Sequence, residues 1–115
     1  MLRGEVRLTD LEPACGSEAN KRRPAVIVSN DRANATATRL GRGVVTVVPL
    51  TSNTSRVFPF QTLLPSVDTG LRADSKAQAE QLRSVTVERI GPVVAHLPPS
   101  LMAELDDALR LHLQL

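Results

Sequence analysis

A single small α+β domain, built as a barrel of short strands, is the fold this sequence predicts. Three observations point to it. Six segments of strand length are separated by clusters of Gly, Pro, Ser and Asn. Two of them, Ala25–Val28 and 43–50, are apolar at nearly every position, the mark of strands covered on both faces. The chain then ends in an amphipathic helical pattern. With 115 residues and no internal repeat or linker, it reads as one domain, 1–115. A chain of that size buries roughly 65% of its surface on folding, enough for a core without staples.

The elements follow in order. Gly4 to Leu11 alternates, with Val6 and Leu8 inward, and predicts the first strand. EPACGSEANKR (12–22) carries Pro, Gly, Ser and Asn in quick succession and predicts a loop. Pro24 drives Arg23 into an extended conformation, because the proline ring crowds the helical region of its predecessor. Asn30 or Asp31 can cap a short helix to about Thr38, ended by the Gly41-Arg42-Gly43 turn. GVVTVVPL is the next strand and TSNTS a loop. Val57 to Leu64 alternates and predicts a strand whose Phe58 and Phe60 share a buried face. Residues 63–73 are punctuated by Pro and Gly, and Lys76 to Ser84 predicts a strand with polar positions at Gln78, Glu80 and Gln81. A turn over Thr86–Arg89 leads into a strand near Ile90–His96. After Pro98-Pro99, the residues Leu101, Met102, Leu105, Ala108, Leu109 and Leu113 recur at helical spacing, with Glu104, Asp106 and Asp107 facing away.

Composition narrows the function classes. The net charge of +2 conceals an asymmetry: residues 1–60 carry nine Lys/Arg against five Asp/Glu, and residues 61–115 five against seven. Twelve of the fourteen cations are arginine, the residue suited to forked contacts with phosphate. Such a balance fits a polyanionic partner and equally a plain solvated surface. There is no Trp or Tyr, so any binding of nucleic acid rests on hydrogen bonds and phosphate contacts rather than on stacking. Cys15 is the only cysteine, which excludes an internal disulfide and suits a reducing compartment. No leader-like segment and no apolar run of membrane-spanning length is present, so a cytoplasmic protein without a membrane partner is expected. His96 and His112 are far apart and Cys15 has no local histidine, so neither a metal site nor a thiol nucleophile is expected.

The placement of the cations is more telling. Lys21-Arg22-Arg23 abuts Pro24 at the mouth of a buried strand. Pairing 24–29 with 44–49 antiparallel, with Pro24 opposite Pro49, sets Arg23 opposite Leu50 and Arg22 opposite Thr51. The basic cluster and the TSNTS loop then share one rim, which the Gly16-Ser17-Glu18 loop also reaches. Guanidinium, hydroxyl, carboxylate and amide groups together suit a phosphodiester. An arginine on the non-bridging oxygens offsets the charge that grows on a pentacoordinate phosphorus, a contribution of about 2.7–4 kcal/mol for one well-placed donor. Arginine does not lose its proton, so Glu18 is the better acid–base candidate and Thr51 a phosphate donor. The same Arg-Arg-Pro also serves as a solubilising device at a strand edge, and Thr-Ser-Asn loops are commonly turn formers.

Order and spacing add what single residues do not. RGEV, GSE-A-N-x-x-RP-AVIVSND, VVPLTSNT and QAEQLRS, in that order from Arg3 to the final helix, resemble the MazF/PemK family of toxin endoribonucleases. The resemblance implies a small SH3-like β-barrel of the MazF/CcdB kind, with a short helix after the second strand and a C-terminal helix. It implies a homodimer that cleaves single-stranded RNA without metal or other cofactor, held inactive by a cognate MazE-like antitoxin. By motif, Arg23 and Thr51 are the catalytic pair, and Glu18 with Ser17 lies in a loop closing over RNA. Gln81 matches a base-contacting position. Lys21, Arg22, Asn53, Arg83 and Ser84 complete the expected RNA contacts. One departure is Arg7, where many relatives carry an aromatic residue. The family pattern implies attack by the ribose 2′-hydroxyl, leaving a 2′,3′-cyclic phosphate or 3′-phosphate and a 5′-hydroxyl. Two rivals share the barrel: a CcdB-like toxin that binds a protein target such as DNA gyrase through the last helix, and an inactive paralogue that only binds antitoxin.

Overall fold

The computed structural model describes residues 1–115. Along the chain run β1 (Glu5–Asp10), β2 (Arg22–Ile27), α1 (Asp31–Leu40), β3 (Val44–Thr51), β4 (Gln61–Leu64), α2 (Ser66–Thr69), β5 (Ser75–Gln78), β6 (Arg83–Thr86), β7 (Ile90–His96) and α3 (Pro99–Leu113). The strands form one antiparallel, barrel-like sheet in the order β4-β5-β3-β2-β1-β7. The first half of β3 pairs with β6 and its last two residues with β5. That change of partner along one strand curls the sheet.

β2 and β3 lie at the centre, as their two apolar faces require. Ala25, Ile27, Val45 and Val47 face one cluster, closed by Ala37 of α1 and by Ala19 of the 12–21 loop. Val26, Val48 and Leu50 face the other, closed by Leu101 and Leu105 of α3. Asn30 caps α1 by accepting from the Ala33 N–H (2.8 Å), and Gly41, at φ 66°, ends it in the left-handed conformation that glycine adopts without steric cost. Buried Asn34 ties that helix down by donating to the Ser29 carbonyl (2.8 Å), while the Ser29 hydroxyl accepts from the Thr46 N–H (3.0 Å).

Four expectations need correction. The β2–β3 register is one residue away from that anticipated: Ala25, not Pro24, pairs with Pro49. Residues 57–60 are not strand, and Phe58 and Phe60 are not core; Phe58 is 39% exposed and stacks on Phe60 at 5.3 Å, with the Arg56 guanidinium over its ring. Without backbone pairing partners, those residues had no sheet face to fill. The expected strand 76–84 is two strands, β5 and β6, broken by a 3₁₀ turn at Ala79–Gln81 where the chain passes from one end of β3 to the other. Asp106 does not face solvent freely: it holds Arg3 at 2.5 Å, while Leu113 of the expected apolar stripe is 46% exposed beyond the end of the sheet.

Arg7, in the place of an aromatic residue, is absorbed by polar contacts. It donates to the Glu5 carboxylate (3.1 Å) and to the Gly91 carbonyl of β7 (3.1 Å). Burial favours the neutral acid at Glu5, but hydrogen bonds from the Leu2 N–H and Arg7 and the charge of Arg7 together outweigh it. The carboxyl is held below its ordinary value.

Candidate active site

The corrected register tightens the predicted pair. Carried past Ala25–Pro49, it sets Arg23 level with Thr51, where β2 and β3 leave the sheet. A cavity of about 420 Å3 opens at this rim, lined on one wall by Lys21, Arg22, Arg23 and Pro24, on another by Leu50, Thr51 and Ser52, and across from them by Leu71, Arg72, Ala73 and Ser75. No carboxylate lines it, and none of its four cations takes part in an ion pair. Solubilising surface charges are normally interspersed with opposite signs. An unpaired cluster of cations around hydroxyls is instead complementary to phosphate.

Individual side chains are held for that task. Arg23 donates Nε to the Asn20 carbonyl (2.8 Å) and Nη2 to the Asn20 Oδ1 (3.0 Å), so one edge of the guanidinium is clamped and the other is left for a ligand. The Thr51 Oγ1 accepts from the Asn53 N–H (3.2 Å), which fixes the hydroxyl oxygen and leaves its proton to donate. Asn53 thus acts here through its backbone, while its Oδ1 turns to Ser55 (2.8 Å). Lys21 sits at φ 65°, a left-handed conformation unfavourable for a residue with a side chain. Its N–H donates to Glu12 (2.7 Å) and its carbonyl accepts from the Leu11 N–H (3.0 Å).

The other expected residues lie elsewhere. Glu18 lines a separate cavity with Ala19, Glu80, Gln81, Leu82 and Arg83. The Gln81 amide is committed at both ends: Nε2 donates to the Ser17 carbonyl and Oε1 accepts from the Ala19 N–H, each at 2.9 Å. Arg83 donates to the Leu11 carbonyl (3.1 Å), so it too braces the 12–21 loop. Ser84 pairs with Thr46, five residues along β3 from Thr51, and is not in the cavity. Cys15 is exposed in the same loop.

Two contributors escaped the sequence reading. Asn20 gave no signal beyond loop composition, since its role depends on the chain doubling back on Arg23. Arg72 is distant in sequence and reaches the cavity on the turn after α2. Asp74 anchors that turn by accepting from the Ser66 N–H (2.8 Å), and the hydrogen bonds from the Ser66 backbone and side chain hold its carboxyl below the ordinary range.

A curled antiparallel sheet with a cationic, hydroxyl-bearing, carboxylate-free cavity at one rim defines a small protein built to engage a polyanion. The chain belongs to the family of PemK-like, MazF-like toxins of type II toxin–antitoxin systems, whose model matches residues 2–113. It is 61% identical over 115 residues to the endoribonuclease MazF9 of Mycobacterium tuberculosis, covering 100% of this chain and 98% of that protein. It is 34% identical over 109 residues to the endoribonuclease MazF6 of the same species, covering 94% of this chain and 92% of that one. Among solved structures it is similar to MazF of Deinococcus radiodurans, with a TM-score of 0.83 at 25% identity over 100% of this chain and 97% of that one. A mycobacterial endoribonuclease in complex with its cognate antitoxin superposes with a TM-score of 0.78 at 25% identity, over 100% and 96% of the two chains.

Proposed function

We propose that this chain is the toxin of a type II toxin–antitoxin pair and a metal-independent endoribonuclease cutting single-stranded RNA at short sequences. One observation carries the reading: Arg23 and Thr51 line one cavity with Lys21, Arg22 and Arg72, all four cations unpaired. The ribose 2′-hydroxyl attacks phosphorus and the P–O5′ bond breaks, giving a 2′,3′-cyclic phosphate and a 5′-hydroxyl. Arg23, clamped by Asn20, offers its free edge to the non-bridging oxygens, and Thr51 donates to one of them. Lys21, Arg22 and Arg72 hold flanking phosphates. Glu18 is the proposed acceptor of the 2′-hydroxyl proton; to serve, its loop must give up the two Gln81 bonds and close over RNA. The need for a 2′-hydroxyl makes the substrate RNA rather than DNA. A homodimer acting in the cytoplasm and silenced by a MazE-like antitoxin completes the proposal.

The test is incubation of purified wild type and Arg23→Ala with a long single-stranded RNA in EDTA, with the new 5′ ends mapped. Discrete cuts by wild type, reduced at least a hundredfold in the variant, are expected. Wild type that leaves the RNA intact overturns the nuclease reading in favour of a toxin that only binds.

A further inference from the structure

Arg22 does not belong to one cavity alone. It also lines a second, of about 490 Å3, with Asp10, Thr86, Glu88, Arg89, Ile90 and Gly91. The two spaces therefore share a wall, and the second opens where β1 and β7 approach most closely. Gly91 makes that possible: a Cβ there would lie 2.7 Å from the Leu8 carbonyl oxygen and 3.6 Å from the Arg22 Nη2. The floor is bare backbone, with Ile90 the one apolar side chain on the lining.

The chemistry of this second cavity differs from that of the first. Asp10 and Glu88 bring two carboxylates, and Arg22 and Arg89 two guanidinium groups, yet no carboxylate–guanidinium ion pair forms among the four. Arg89 leans instead towards the Asp10 carbonyl at 3.5 Å, and one Asp10 oxygen accepts from the Glu12 N–H (3.0 Å). Carboxylates repel a phosphate, so this is not a second phosphate site. A mixed set of free acceptors and donors matches the edge of a nucleobase. The carboxylates call for an amino group, which uracil lacks; the guanidinium groups call for a carbonyl oxygen, which adenine lacks. Cytosine and guanine carry both.

We propose that this cavity is a base-reading subsite for the nucleotide next to the scissile phosphate, selecting cytosine or guanine through Glu88 and Arg89, with Arg22 spanning phosphate and base. This rests on the nuclease reading above. The test is cleavage of a randomised single-stranded RNA pool by the full-length wild type, Glu88→Gln and Arg89→Ala, with sequencing of the cut ends. The wild-type cut sequence is expected to hold cytosine or guanine beside the cut. Each variant should lose at least about fivefold of the preference at that position alone, the other positions keeping theirs. Glu88 is exposed and its substitution isosteric, so that arm does not depend on refolding. A wild-type sequence with adenine or uracil on both sides of the cut overturns the subsite, as does unchanged preference in both variants. In those outcomes the RNA is still cut and the nuclease reading stands. If wild type cuts nothing, both readings fall together.

Discussion

Asn20→Ala isolates how much of the Arg23 contribution is orientation. The variant deletes the Oδ1 that accepts from Nη2 at 3.0 Å and keeps the backbone carbonyl that accepts from Nε at 2.8 Å. A hydrogen bond to a charged donor is worth about 1.5–3 kcal/mol net when well buried. Asn20 is exposed and water partly replaces it, so about 1–1.5 kcal/mol is the expected loss. At 1.36 kcal/mol per decade, that is about a five- to twelvefold fall in the single-turnover cutting rate at saturating RNA. Binding should change little, because the charge remains. In the Arg23→Ala background the Asn20 effect should vanish, the signature of two groups acting as one. Thermal unfolding, followed by far-UV circular dichroism since the chain has no Trp or Tyr, should shift by no more than about 0.5 kcal/mol. Wild-type cutting by Asn20→Ala, or equal losses in both Arg23 backgrounds, would refute the clamp.

Three further outcomes follow from the same geometry. Lys21→Gly removes a side chain held at φ 65° and should stabilise the fold by about 1 kcal/mol in denaturant unfolding while weakening RNA binding. The slope of log affinity against log salt should fall by about 0.7 for the one lost phosphate contact; stability gained with binding and slope intact would make Lys21 a structural residue only. Arg7→Ala leaves the nearly buried Glu5 carboxylate, 11% exposed, without its guanidinium. In wild type the lowered Glu5 value contributes stability that is full above the ordinary carboxyl range and lost as pH falls through the folded value. Without Arg7 that value rises, so the acid-unfolding midpoint should move to higher pH; an unmoved midpoint would count against the pair. Leu105→Ala, at a fully buried position where α3 meets the sheet, should cost about 2–5 kcal/mol, read from the chemical denaturation midpoint.

Local signals carried most of the fold. The doubly apolar Ala25–Val28 and 43–50 segments told that both faces of the central strands are covered, and they are, by α1 and α3. The Asn30 cap, the Gly41 stop and the heptad-like spacing of Leu101, Leu105 and Ala108 located both long helices, since each depends on neighbours within a turn or two. Where the reading slipped, the missing information was non-local. Alternation at Phe58 and Phe60 looks like a strand, but alternation has meaning only if a partner strand is present. Residues 76–84 look continuous because nothing in their own sequence records that β3 accepts β5 at one end and β6 at the other.

The site divides the same way. Arg23 and Thr51 were legible because a charged cluster against a proline and a hydroxyl loop after a buried strand must both emerge at strand ends. Sequence alone thus determined the strand-and-helix inventory, the excess of arginine in the first half and the residue types available at one rim. Tertiary structure alone decided which of them meet: the one-residue register that levels Arg23 with Thr51, the Asn20 clamp, and Arg72 on the far wall. It also set Glu18 apart behind the Gln81 clasp. Periodicity and capping are properties of neighbours along the chain, whereas register and cavity walls are settled by how the two apolar faces of the central strands pack against everything else.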